Sequence, residues 1–551
     1  MNAASNVSAG LKRSFARYKS FVLGQTPIFV LYLSVFAIGI ALLVLVGSSF
    51  GTMLYDEGTR SAAGVFFSRF LTGGLSNPRQ YFAMYPIFTM GIWFYPFLYS
   101  LLSSISLSIF GFGEVAARLV SVVSTVLLIH GTILVAREIT HDEKAGLISG
   151  FLVATSPLII IVGSGVMVDV PAVALTMYSL LYWIKGIKGS PKRSFLFAGT
   201  LAGLAALMRP PALFELIFVL IFALASFLVA RKRPLLTRKL LLGVMIGALV
   251  FSIYVLSAFM ARFMDAGFVG GDAMKGLSYW FGGGGTLTGF IPPWYSPQWF
   301  TIGGWQYYFF ELIFMMGALA LLFSFVGMFA RLRNRESARF LDVFLLLFVA
   351  GLYVLETVTS TKNPRYALPL MPILFIYTGA GLSYMYLKIA GKQSQNAPRK
   401  IIIKKAIGVI LVLAVLIAGI PALFSAVQSK YIPGMEFGAT IPYREAVQII
   451  VKDGGTGLVM PDVQNNRFSA PALTFYIASV DNKGRYGCVP PVSNAAEIEN
   501  YRWAGKTLRY ILTYNPDSEI GNYIKTHQNQ FSLLGEAKEN NETIIVYKLL
   551  T

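Results

Sequence analysis

The sequence predicts an α-helical polytopic membrane protein with a small α/β region at its C-terminal end. Three observations carry that prediction. Only 13% of the 551 residues are charged, where a soluble domain averages about a quarter, and the mean hydropathy is +0.63. Apolar runs of membrane-spanning length recur between Pro27 and Gln428. Charged and polar residues return after Lys430, where helix-like and strand-like stretches alternate.

The run Pro27 to Phe50 has the length and purity of a spanning helix and lacks a small-residue cleavage site, so it reads as an uncleaved anchor. Lys12, Arg13, Arg17 and Lys19 precede it and put the N-terminus, residues 1–26, in the cytoplasm. Asp56 and Glu57 then emerge outside. The basic segments Lys185–Arg193, Arg231–Lys239, Arg331–Arg339 and Lys388–Lys405 mark inner loops, and Arg137–Lys144 is placed inside with them. Parity between these loops gives spans near 115–136, 146–165, 170–186, 194–208, 212–230, 240–260, 306–330, 341–358, 366–387 and 406–427. With the first run that makes about eleven spans. The apolar stretch Tyr85 to Phe110 breaks the parity if it crosses, so 85–110 is expected to dip into or lie along the outer leaflet. The membrane part is then 27–428, and 429–551 forms an exterior α/β domain. In that domain, helices are expected near 442–453, 495–503 and 517–527, and strands at Gly457–Met460, Leu508–Thr513 and Thr543–Leu549.

The formal charge of +20 invites a nucleic-acid partner, but the basic residues lie in short loops between apolar runs. That is the distribution of topology signals, and no nucleic acid is expected. Cys488 is the single cysteine and the three histidines are scattered, so no cysteine cage or His-Glu-x-x-His metal site is expected. Carboxylates such as Asp56 and Asp169 have the chemistry to share a divalent ion where they converge.

The candidate sites all fall on the outer side. Asp56 is the candidate general base: a carboxylate beside an exterior cavity can take the proton of an attacking hydroxyl. Glu57 shares that role, positions an acceptor, or couples to the titration of its neighbour. The plain alternative is a helix start with Asp56 or Thr59 as cap. Arg209, Lys362 and Arg365 are candidates for a phosphate, because charge building on a leaving phosphate needs such partners. Their alternative is cations reaching to lipid headgroups. Tyr366 adjoins them. Asp169 orients sugar hydroxyls or caps the helix that begins at Pro171. The loop from Trp280 to Trp305 holds Gly282–Gly285 with Trp294, Tyr295 and Trp299, which suits closure over a sugar or an aromatic belt. His130, in mid-span, reads as an interhelical hydrogen-bonding group.

The order of these motifs resembles the GT-C superfamily of polyprenyl-phosphate-sugar glycosyltransferases, including the protein O-mannosyltransferases and the aminoarabinose transferases. Asp56-Glu57 follows the first span, as the superfamily's acidic first-loop motif does. Tyr95-Pro96, Ile109-Phe110-Gly111 and Ala116-Ala117-Arg118-Leu119 are similar to its proline-led segment. Ser156-Pro157 with Asp169-Val170-Pro171, and Arg365-Tyr366 with Pro369 and Pro372, resemble later blocks. The likeness covers roughly 27–390. It departs at Phe94-Tyr95-Pro96-Phe97, where the superfamily often has His or Lys beside Pro-Pro.

The resemblance implies a GT-C-like fold and an inverting transfer of a sugar from a polyprenyl- or dolichyl-phosphate donor to an acceptor hydroxyl on protein, lipid or glycan. Asp56 would be the catalytic carboxylate and 59–110 the juxtamembrane loop. No cofactor is required by that chemistry, and the expected setting is a prokaryotic cell membrane, with membrane lipid as a partner. The rival class is a transporter or lipid flippase. A transporter places binding groups near the midplane and often shows repeats, whereas here the midplane is nearly free of ionisable groups.

Overall fold

A computed structural model of the chain describes residues 30–48, 51, 53, 55–73, 96–189, 193–230, 238–264, 306–333, 338–358, 363–390, isolated positions between 406 and 428, 431–432, 435–436, 440–463, 468–481, 484–492, 494–503 and 505–550. The N-terminal basic segment, 74–95, the aromatic loop from Trp280 to Trp305, Lys362 and most of the expected span 406–427 lie outside these residues.

The described residues are mostly helical. In chain order the helices are α1 Val30–Ser48, α2 Tyr55–Gly73, α3 Leu98–Phe110, α4 Glu114–Thr140, α5 Glu143–Thr155, α6 Pro157–Ser164, α7 Asp169–Ile187, α8 Ser194–Met208, α9 Phe214–Ala230, α10 Arg238–Met264, α11 Tyr307–Met316, α12 Ala318–Arg333, α13 Ala338–Val358 and α14 Met371–Ala390. Five of them are long and apolar enough to cross a membrane, or seven when each of two bent pairs counts as one span. The expected eleven are therefore not reached among the described residues. The reasons are local. The expected span 146–165 is broken between α5 and α6, which meet at 58°. Ser156 there is extended and Pro157 opens α6, because proline has no N–H to continue the ladder of the preceding turn. The expected span 306–330 turns by 105° between α11 and α12, at Gly317 with φ of 83°, a conformation open to glycine. Helices α8 and α9 have only 15 and 17 residues.

Small residues set how closely the helices approach. On α8 and α10, Gly199 and Gly203 face Gly243 and Gly247. A methyl group added at Gly199 would fall 1.8 Å from the carbonyl oxygen of Gly243. Close backbone approach of this kind replaces the hydrophobic drive that apolar solvent removes. Large apolar side chains such as Val44, Met245, Leu249 and Phe329 remain exposed on the outside of the bundle, as lipid-facing residues do.

Helix α3 is too short to span. Its serines Ser100, Ser103, Ser104 and Ser106 are buried, with Ser68 of α2 joined to Ser108 at 2.8 Å and Ser106 donating to the Ala116 carbonyl. Serines are tolerated in this buried seam because most of these hydroxyls have a partner, the buried Ser103 hydroxyl being the exception.

The C-terminal region adds helices α15 Tyr443–Asp453, α16 Ala470–Val480 and α17 Glu519–Thr526 to strands β1 Tyr431–Ile432, β2 Met435–Glu436, β3 Gly457–Pro461, β4 Tyr486–Cys488, β5 Arg502–Trp503, β6 Lys506–Thr513, β7 Phe531–Glu539 and β8 Glu542–Leu549. The main sheet runs β4-β3-β6-β8-β7, with β5 on β6 and β1–β2 as a separate ribbon. Strands β4, β3 and β6 are parallel, and β8 and β7 extend the sheet antiparallel. Leu458 and Met460 pack on the side of α17, and Val459 packs on the side of α15 and α16. This is the alternation a strand covered on both faces requires. The expected strands and two of the three expected helices lie where the pattern put them. At 495–503 a 3-10 turn, Ala495–Asn500, and the short strand β5 form in place of the expected helix.

The core on the Val459 side of the sheet continues into the membrane part. Val459, Tyr510, Phe475 and Tyr476 belong to one cluster with Ala62, Phe66, Tyr99, Ala117 and Val166 of the membrane part. Helix α16 lies directly on α2: a methyl group at Gly58 would stand 2.7 Å from the Ala472 Cα.

Candidate active site

The site grows from the first turn of α2. The backbone of Asp56 lies in that turn, while its side chain lies outside the described residues. The side chain of Glu57 is buried at 4% exposure. Its Oε1 accepts the Val166 N–H at 2.8 Å. One turn later Arg60, also buried, donates to the Val166 carbonyl at 3.2 Å and touches the Met167 sulfur at 3.3 Å. Both polar groups of the Val166 peptide are thus taken by α2. Met167 is held next: its N–H donates to Ser121 Oγ at 3.3 Å and its carbonyl accepts from Ser121 at 3.1 Å. Tyr99 pairs with Ser121 at 2.9 Å.

This grip has a cause. Val166 and Met167 lie between α6 and α7 outside the helical ladders, so their buried peptide groups need outside partners. Glu57, Arg60 and Ser121 supply them. Glu57 thus holds the 165–168 segment through the Val166 N–H.

Asp169 opens α7 directly after that segment. Its Oδ1 lies 3.0 Å from an Arg209 guanidinium nitrogen, with both side chains buried. Arg209 sits over the Tyr366 ring at 4.8 Å, and Arg365 over the same ring at 5.6 Å. Arg365 reaches the Met167 sulfur at 3.8 Å. Asn363 caps the short turn Pro364–Ala367, its side chain accepting the Arg365 N–H. The charge of Glu356 also acts on Arg209. A cavity of about 30 Å³ lies among Arg209, Glu215 and Glu356; that is water-sized, too small for a sugar. The buried Glu215 accepts from Trp183 at 3.1 Å.

Five sequence candidates, Glu57, Asp169, Arg209, Arg365 and Tyr366, are therefore one constellation around 165–169. Lys362, three residues before Arg365, lies outside the described residues. Among the described residues no three His, Cys, Asp or Glu side chains converge as a metal site, and the Asp169 carboxylate is engaged by Arg209. His130 bonds the Tyr178 hydroxyl at 2.6 Å, the interhelical role its position suggested.

Sequence reasoning missed Arg60, Glu114, Arg118 and Ser121. Arg118 donates to the Gly51 carbonyl at 2.9 Å and lies 3.6 Å from Glu114. The signal was present: Asp56 and Arg60, and Glu114 and Arg118, stand four residues apart, on one helix face.

Residues 95–256 match the family described as dolichyl-phosphate-mannose-protein mannosyltransferase. That match spans α3 to α10 and includes Ser121, Val166, Asp169 and Arg209. Comparison with curated proteins found no match. Among solved structures, ArnT from Cupriavidus metallidurans bound to undecaprenyl phosphate aligns with a TM-score of 0.59 at 13% identity, over 94% of this chain and 98% of that one. The archaeal oligosaccharyltransferase AglB from Archaeoglobus fulgidus, with an inhibitory peptide and a dolichol-phosphate, aligns at 0.53 and 14% identity, over 87% of this chain and 69% of that one. The mycobacterial arabinofuranosyltransferase AftD aligns at 0.50 and 13% identity, over 93% of this chain and 41% of that one. The chain shares its fold with these three solved structures, and its residues 95–256 match the mannosyltransferase family model.

Proposed function

We propose that the protein transfers a sugar from a polyprenyl- or dolichyl-phosphate donor to an acceptor hydroxyl on protein, lipid or glycan, at the outer face of a prokaryotic cell membrane, with inversion. The observation that carries the reading is the acidic first turn of α2 fixed onto the segment that leads into the Asp169–Arg209 pair. The guanidinium groups of Arg209 and Arg365 share the Tyr366 ring, beside the segment that the first turn of α2 holds. Neighbours of the same fold carry undecaprenyl phosphate and dolichol-phosphate, and one is tethered to an acceptor peptide, which supports the donor and acceptor classes.

In this reading the donor phosphate lies against Arg365 and Arg209, with Lys362 as a further cation. Asp169 keeps Arg209 aimed, and Tyr366 fixes both guanidinium planes. The acceptor oxygen attacks the anomeric carbon as the bond from that carbon to the phosphate oxygen breaks. The electron pair leaves with the phosphate, and the acceptor proton passes to the Asp56 carboxylate. Phosphate is a good leaving group, so the steps written here need no general acid and no metal. Glu57 does no chemistry; it holds 165–168 under α2.

The finer topology belongs to the same proposal: 1–26 inside, a membrane part 27–428 of about eleven spans, a juxtamembrane 59–110, and 429–551 outside as an α/β domain. The test is the anomeric configuration of the first product, read by NMR with a donor of known anomer in lipid. Inversion is expected; retention would require a covalent sugar intermediate and refute the single displacement.

A further inference from the structure

The loop that enters α2 is held by a residue from the far end of the chain. The Tyr476 hydroxyl of α16 accepts the Met53 N–H at 3.0 Å and donates to Glu114 Oε1 at 2.7 Å. Glu114 pairs with Arg118, and Arg118 donates to the Gly51 carbonyl. Two backbone groups of the connection between α1 and α2 are thus gripped, one from α4 and one from the C-terminal region, with Glu114 joining the two grips. Tyr476 and Met53 are buried. Asp56 follows three residues after Met53, and two residues beyond it Gly58 rests on Ala472 of the same helix α16.

Tyr476 is itself fixed. Its ring stacks on Tyr443 with centroids 5.1 Å apart, Tyr443 on Phe468 at 5.2 Å, and Phe468 on Tyr514 at 5.0 Å, the planes within 20° of parallel. The Tyr514 hydroxyl donates to Glu542 at 2.7 Å. A column of four rings therefore backs the hydroxyl that holds the loop. The family match ends at residue 256, so this support comes from outside it.

We propose that Tyr476 is a positioning residue for the transfer reaction, and that the C-terminal region is part of the frame of the active site through it. The proposal rests on the reading that the first turn of α2 carries the base. Without the hydroxyl, the Met53 N–H loses its acceptor and the start of α2 is free to shift, and misplacement of a reacting group by about 1 Å costs on the order of a hundredfold.

The test compares wild type, Tyr476→Phe and Tyr443→Phe in lipid nanodiscs. Two quantities are read: hydrogen exchange at residues 51–60, and turnover of a radiolabelled polyprenyl-phosphate sugar. Tyr443→Phe removes another buried hydroxyl of the column, the acceptor for the Ser469 N–H, without touching the loop, and controls for a general loss of stability. Leaving a buried N–H unpaired costs about 1–3 kcal/mol, or roughly five- to 150-fold. Tyr476→Phe is expected to speed exchange at Met53 and to lower kcat by at least about fivefold, with donor KM unchanged. Tyr443→Phe is expected to change neither. Unchanged exchange in Tyr476→Phe overturns the proposal, and so does faster exchange with unchanged kcat. Equal kcat losses in both variants also overturn it, because they point to stability alone. A wild type inert towards every donor refutes the transferase reading instead, and the exchange arm still decides whether Tyr476 holds the loop.

Discussion

Replacing Glu57 separates the two neighbouring carboxylates by what each one touches. Glu57 Oε1 accepts the buried Val166 N–H at 2.8 Å. A hydrogen bond to a charged acceptor contributes about 1.5–3 kcal/mol and a neutral one about 1 kcal/mol. Glu57→Gln keeps an acceptor oxygen at the same reach and loses the charge. The difference, about 1 kcal/mol, predicts a turnover loss of roughly fivefold if all of it appears in the position of 165–168. Glu57→Ala leaves the Val166 N–H buried and unpaired, a cost of about 1–3 kcal/mol and roughly five- to 150-fold in rate. The assay is release of polyprenyl phosphate from a radiolabelled donor by purified protein in lipid, with melting temperature measured alongside. The expected order is wild type, Glu57→Gln, Glu57→Ala. A Glu57→Gln variant that folds and is as inert as one lacking the base would refute the argument, because it would put the Glu57 charge in the chemistry.

Three further predictions follow from individual contacts. Asp169→Asn breaks a buried ion pair, at a cost of about 3–5 kcal/mol; melting temperature and turnover should both fall, and the double variant Asp169→Asn with Arg209→Met should recover melting temperature without turnover. Recovered turnover in that double variant would remove Arg209 from phosphate binding. Cys488 is half-buried, its Sγ lies 3.4 Å from the Ala470 carbonyl, and burial pushes its thiol up to about 12, so an impermeant maleimide should label it slowly whichever side it faces. Asp517→Cys, at a side chain 84% exposed, should label fast on intact cells in a Cys488→Ala background; labelling only after lysis would invert the topology. Asp453 accepts from Lys548 at 2.8 Å and from Tyr510 at 2.7 Å, and these bonds hold its carboxyl below the usual range. Its stabilising contribution is complete above the unfolded value near 3.9 and is lost as pH falls through the lower folded one. The melting-temperature gap between wild type and Asp453→Asn should therefore close below about pH 4, and a gap that stays constant would show that the carboxyl is not held by these partners.

The mostly helical, multi-pass plan was legible because hydropathy acts over tens of residues. The same signal passes over features decided by one backbone group. An apolar run reads alike with or without the missing N–H of Pro157 or the positive φ of Gly317, yet these bend the chain by 58° and 105°. Helix α16 escaped notice because it is apolar all round: it is buried between α2 and the sheet, so no polar face gives it a period. The acidic motif was visible at Asp56-Glu57, but sequence could not divide the pair. Adjacent residues on a helix point about 100° apart, and which one turns inward depends on Val166, more than a hundred residues away. The Met53–Tyr476 bond spans 423 positions and leaves no local pattern. By contrast Asp169, Arg209 and Arg365-Tyr366 each stood at a break between apolar runs, and the fold gathers those breaks at one end of the bundle.

The central claim is that this fold moves a sugar off a lipid phosphate with Asp56 as base. It is tested most directly by turnover of a panel of radiolabelled polyprenyl-phosphate sugars by wild type and Asp56→Asn in lipid, with cell-surface extract as acceptor. Free polyprenyl phosphate should appear with the wild type, and Asp56→Asn should lower the rate by on the order of a hundred- to ten-thousandfold while retaining donor binding. Wild-type turnover that Asp56→Asn leaves intact would contradict the base assignment, and no turnover with any donor would contradict the transferase reading itself.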